Sequence, residues 1–72
     1  MVYVIKRKVG NFNYFAFFPG HPNNYDHYRW AGLVENATLF TDFDLGCRAH
    51  AKISEIDAEL IRYFKKDKKQ DE

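Results

Sequence analysis

Apolar and polar positions alternate from the start of the chain. In "VYVIKRK", Val2 to Lys8, Tyr3 and Ile5 alternate against Val2 and Val4, and the β-branched and aromatic content predicts a strand. Val9-Gly10-Asn11 interrupts the run with turn residues, and "FNYFAFF", Phe12 to Phe18, resumes it, so the pair reads as a β-hairpin. The second run is apolar on both faces. Phe12, Tyr14, Ala16 and Phe18 point one way, and Phe15 and Phe17 the other. Such a strand is expected to be central in its sheet or to lie beneath another element.

The pattern then breaks. "PGHPNNYDHYR", Pro19 to Arg29, holds Pro-Gly, His-Pro and Asn-Asn, and no period crosses it. About ten residues is long for a connection in a small domain, and long loops often carry function. Ala37 to Phe40 is a third strand candidate. Thr41 or Asp42 is a suitable N-cap, and Asp42 and Asp44 place negative charge at the positive end of a helix through "DLGCRAHAKI". Gly46 weakens that helix by roughly 1 kcal/mol relative to Ala.

The C-terminal third has two readings. Leu45, Ala49, Ile53, Ile56, Leu60 and Phe64 recur at intervals of three and four, which suits one long amphipathic helix. "AELIRYF" equally suits a strand after a turn at "SEID". A closing strand gives a thin core more to pack against, and this favours the second reading. The expected fold is therefore α+β, with a small antiparallel sheet (the N-terminal hairpin plus a third strand) packed on one helix in the order β-β-β-α-β. A single domain is expected over residues 1–66, with residues 67–72 as a charged, disordered tail. Phe40 and Phe43 are expected in the core.

Size sharpens this picture. A chain of 72 residues buries only about 60% of its unfolded surface, so the core is thin. The single cysteine, Cys47, excludes an intramolecular disulfide and a thiolate zinc site, and fits a reducing compartment. In "MVYVIKRKVG" the charges follow a very short apolar run, the wrong order for a signal peptide and too short for a membrane span. A soluble, cytoplasmic protein is expected. Asn36-Ala37-Thr38 then matches an N-glycosylation acceptor only by chance.

Candidate chemistry is sparse. His21, Asp26, His27 and His50 are the only candidates for metal binding or for acid–base work involving histidine, and the six-residue spacing of His21 and His27 fits no ligand pattern. Plain surface histidines are the better reading. Cys47 and His50 stand at i and i+3 on the expected helix, but a core cysteine is the better reading. Gly10, Gly20, Gly32 and Gly46 are isolated, so there is no phosphate loop. No enzyme, metal or cofactor is expected.

Binding is the better theme. Thirteen of 72 residues are Phe, Tyr or Trp, more than a thin core is expected to hold. In the loop from Asn23 to Trp30, Tyr25, His27, Tyr28 and Arg29 are the expected partner contacts, with Asn23 and Asn24 shaping the loop. One reading has Trp30 and Tyr28 fold back as a lid over the thin core; a mixed reading has Trp30 inward and Tyr25 and Tyr28 outward. The alternative is a nucleic-acid-binding module in which Lys6, Arg7 and Lys8 work beside the aromatic hairpin residues. A net charge of +1 gives that alternative no global support. A homo-oligomer that packs the surplus aromatics between subunits is a third reading.

Tyr3, Ile5, Trp30, Ala37, Phe40, Ala49, Ala51 and Ile61 mark a hairpin, a Trp, an "A-x-x-F", a helix with spaced alanines and a closing strand. This order resembles small phage and prophage accessory proteins, and the long His/Asn/Tyr loop departs from their pattern. The resemblance implies a small non-enzymatic protein that binds and blocks a host protein, as anti-CRISPR and other anti-defence inhibitors do, in the host cytoplasm.

Overall fold

The computed structural model describes residues 1–64, so the tail expected at 67–72 lies outside the described residues. Its elements are β1 (Val2–Val9), β2 (Phe12–Phe17), β3 (Arg29–Ala31), a single 3-10 turn (Val34–Asn36), α1 (Phe43–Ala51) and β4 (Glu59–Tyr63). The four strands form one antiparallel sheet in the order β3-β2-β1-β4, with α1 packed on it. The fold is α+β with the expected chain order.

The hairpin forms where the alternation placed it. Val9 pairs with Phe12 across a two-residue turn, Gly10-Asn11. Gly10 has φ 62° and Asn11 does not share the positive φ, the type II′ arrangement whose twist suits a hairpin. Ala16, Phe18, Ile5, Phe40 and Ala49 are buried together between sheet and helix, with Tyr3, Trp30, Leu45 and Leu60 packed around them.

The third strand is not where the sequence places it. Arg29–Ala31 pairs with β2 instead, Trp30 lying opposite Ala16, whose small side chain leaves room for the indole. Residues 37–40 do a different job. The β1–β2 pairing stops at Lys6 and Phe15, and the segment enters the gap beyond. Thr38 N donates to Ala16 O at 3.1 Å, and Tyr3 and Phe40 exchange two backbone hydrogen bonds of 2.8 Å. Thr38 Oγ1 accepts from the buried Phe18 N at 2.7 Å. The polar-then-aromatic "TLF" is a wedge that satisfies backbone groups of both splayed strands, and Phe40 becomes fully buried.

Asp42 caps α1, its carboxylate accepting from Asp44 N at 2.9 Å. Gly46 has a packing reason: a Cβ there would stand 3.1 Å from Leu60 Cδ1, so its absence lets the helix settle on β4. The helix ends at Ala51, and His50 Nε2 bonds Ala58 O at 2.9 Å across the following turn. The long-helix alternative is thereby excluded, and its would-be stripe residue Ile56 is 99% exposed. Two core assignments also change. Phe43, at the first helical position, is 52% exposed and touches the core only through the edge of Tyr3 at 5.1 Å. Cys47 is exposed, because the buried face of α1 runs through Gly46 and Ala49.

Candidate functional site

The loop between β2 and β3 is an ordered lid. Asn23 and Asn24 donate their backbone N–H groups to Gly20 O at 2.8 and 2.9 Å, and Asp26 N donates to Asn24 Oδ1 at 2.7 Å. Gly20 is required for this close turn, since a Cβ would lie 2.7 Å from Asn24 O. Tyr25 drops into the core, 8% exposed, with its ring edge-on to Phe18 at 5.3 Å. Its hydroxyl meets His21 Nδ1 at 2.8 Å, and burial pushes its phenol pKa up. The His21 ring stands edge-on to Phe40 at 5.1 Å. The expectation of an outward Tyr25 and of a plain surface His21 is therefore corrected: with the core short of apolar side chains, the loop supplies them.

Tyr28 and Trp30 close the other end. The Tyr28 ring lies 5.6 Å from Phe18 and edge-on to Trp30 at 5.9 Å. Its hydroxyl donates to Glu55 Oε1 at 2.7 Å and accepts from Ser54 N at 3.3 Å. That donated bond holds the Glu55 carboxyl below its usual range, against a smaller opposing effect of burial. Tyr28 is thus half-buried over Phe18 and Trp30, as the lid reading has it and the outward reading does not. The Trp30 indole nitrogen is buried without a hydrogen-bond partner. Arg7 covers the Trp30 ring at 5.7 Å and pairs with Asp57 at 2.9 Å.

The six expected contact residues therefore divide. Asn23, Asn24, His27 and Arg29 are exposed, whereas Tyr28 is half-buried and Tyr25 is buried. Asn23, Asn24 and Arg29 border two grooves of about 460 Å³ each, and His27 lines a third of about 300 Å³ with Pro19, Tyr28 and Arg29. The first runs between the loop and α1, past Asn23, Asn24, Arg48 and Lys52. The second lies along the β3 edge, past Phe17, Arg29, Trp30 and Asn36. Arg29 sits over the Phe17 ring at 5.3 Å.

Register separates the basic run. Lys6 and Lys8 pair with Phe15 and Asn13, so they share the face of the sheet opposite α1. Arg7 points to the helix side and is engaged by Asp57 and Trp30. On the same face stand Phe15, Phe17, Ile61 and Tyr63, all half-buried, with Val4 fully covered; the 3-10 turn packs on β2, and Glu35 and Asn36 line a groove with Phe17. Tyr63 is absent from the contact residues expected from sequence, where Phe15 and Phe17 enter only as aromatic hairpin residues of the nucleic-acid alternative. The signal was the doubly apolar β2, whose second face reads as covered but is not covered by the helix.

His21 and His50 are each tied to a protein partner, and among the described residues no three His, Cys, Asp or Glu side chains converge as a metal site would need. Among the described residues no helix is long and apolar enough to cross a membrane. Fold and surface define a class: a small α+β domain with a four-stranded sheet, one packed helix and a pinned aromatic lid. Comparison with family models, with curated proteins and with solved structures finds no match to this chain.

Proposed function

We propose that this chain is a small non-enzymatic protein-binding module that acts by occluding a surface of its partner. The observation that carries the reading is the lid pinned from within. Tyr25 and Tyr28 are held by the core and by His21 and Glu55, so the exposed Asn23, Asn24, His27 and Arg29 are already ordered. Binding through such residues loses little further conformational entropy. Arginine beside aromatic rings is also the chemistry that dominates protein–protein hot spots, and Arg29 lies beside Phe17 and Trp30. The resemblance to small phage accessory proteins supports a phage or prophage origin, a host defence protein as the partner, and action in the host cytoplasm.

The test is affinity capture from host lysate with tagged chain, followed by binding measurements on the captured protein. His27→Ala with Arg29→Ala is expected to weaken binding by roughly tenfold or more, as loss of a hot-spot residue does. Cys47→Ser, on the exposed side of α1, is expected to leave it unchanged. Capture that survives the loop substitutions at full affinity removes the loop as the contact surface.

A further inference from the structure

The far edge of the sheet carries an inference independent of the lid. We infer that the outer side of β4 is a self-association site, at which two copies of this chain join their sheets across a two-fold axis at Ile61. The two edges of the sheet are not equal. β3 is three residues long, and brevity is one of the ways proteins blunt an edge. β4 has five residues, no proline and no lysine, and it pairs with β1 without a bulge from Tyr63 to Glu59. Among the described residues nothing pairs with its outer side. Hydrogen-bond direction shows what that side offers. Tyr3 exchanges its N–H and C=O with Phe40, away from β4, and these groups alternate in direction along a strand. Arg62 opposite Tyr3, and Leu60 opposite Ile5, therefore turn their N–H and C=O groups outward.

The sequence of β4 fits a second copy of itself. In an antiparallel pair centred on Ile61, Leu60 of each copy faces Arg62 of the other, and the facing residues exchange both bonds. Every outward backbone group of the strand is then used. Ile61 faces Ile61, and Glu59 faces Tyr63. No like charges stand directly opposite, whereas a centre at Arg62 would set that residue against itself. Here Arg62 meets its own copy only on the diagonal, with each guanidinium over its own Phe64 ring at 5.4 Å. The ends of the strand agree with this register. Ile56, just before β4, is 99% exposed, and Phe64, just after it, is 74% exposed. Antiparallel pairing carries Phe64 of one copy to Ala58 of the other, beside Ile56, so both large apolar side chains gain cover. An unrelated protein would have to bring a matching edge of its own, and a second copy brings it by symmetry.

Sedimentation equilibrium across a wide range of protein concentration tests this. The mass is expected to rise from one copy to two and to stop there, because joining β4 to β4 leaves only the blunted β3 edges. Arg62→Pro removes an outward N–H and leaves the ladder to β1 in place. It is expected to weaken association by roughly tenfold or more, since a bond is lost on each side of the axis. Arg62→Gln keeps the N–H and is expected to associate like the parent. Disulfide formation reads the register. In a Cys47→Ser chain, Ile61→Cys sets two thiols on a Cα separation of about 4.5 Å, within disulfide reach. That variant is expected to oxidise to a covalent pair, and Leu33→Cys, exposed beyond the β3 edge, is not. Should Arg62→Pro fail to fold, the cysteine variants decide the matter. The inference is overturned by the mass of one copy at every concentration, or by an open series of masses beyond two. It is also overturned by undiminished association of a folded Arg62→Pro chain, or by Leu33→Cys oxidising as readily as Ile61→Cys.

Discussion

Glu55 shows how single side chains hold the lid in place. Its carboxylate accepts from the Tyr28 hydroxyl at 2.7 Å, and that bond is the main reason its pKa lies below the usual value. A carboxyl whose folded pKa is depressed contributes stability that is present above the unfolded value, near pH 4.3, and is lost as pH falls through the folded value. The lid end at Tyr28 should therefore loosen first on acidification below about pH 4. Tyr28 fluorescence or its ring NMR signals, followed across pH, should report a transition below that of a free glutamate. Glu55→Gln should abolish this transition while keeping an acceptor for the hydroxyl. A transition unchanged in Glu55→Gln would assign it to another group. None of this was legible in the sequence, because Glu55 lies 27 residues from Tyr28 and only the fold joins them.

Among the elements, those with a local pattern were legible and those made by long-range pairing were not. The hairpin followed from alternation around Gly10-Asn11, α1 from Asp42 as its cap, and β4 from a turn and an apolar run. β3 was missed because Arg29–Ala31 is only three residues long and its partner, β2, lies across the whole lid. Residues 37–40 look like a strand because they make strand-like hydrogen bonds, but they make them to two different strands that have parted. That wedge predicts a large effect from a small change. Thr38→Val keeps the shape and removes the acceptor, leaving the buried Phe18 N–H without its 2.7 Å bond. The expected loss is about 1–3 kcal/mol, read as a lower denaturation midpoint at constant slope. A variant as stable as the parent would show that the wedge does not hold the strands.

For the whole molecule, the shortage of core is the organising fact. Phe18, Phe40, Ile5 and Val4 are its largest fully buried side chains, and Tyr25 is recruited from a loop to extend the core. A lid by Tyr28 and Trp30 was legible from sequence as one of two readings, but the inward turn of Tyr25 was not, since Asn, Pro and Gly report only the local breaks. Whether the loop's aromatic residues turn inward depends on how much apolar surface the rest of the chain leaves uncovered. The single short helix covers one face of the sheet, and so the aromatic surplus is divided between the lid and the half-buried Phe15, Phe17 and Tyr63 of the other face. The lid is a fixed part of the fold and presents its outer residues ready-made. Native-state amide hydrogen exchange tests this most directly. The amides of Asn23, Asn24 and Asp26, each bonded within the loop, should be protected well above random-coil rates and should open together with Tyr25. Exchange of all three at random-coil rates, while the sheet amides stay protected, would contradict it.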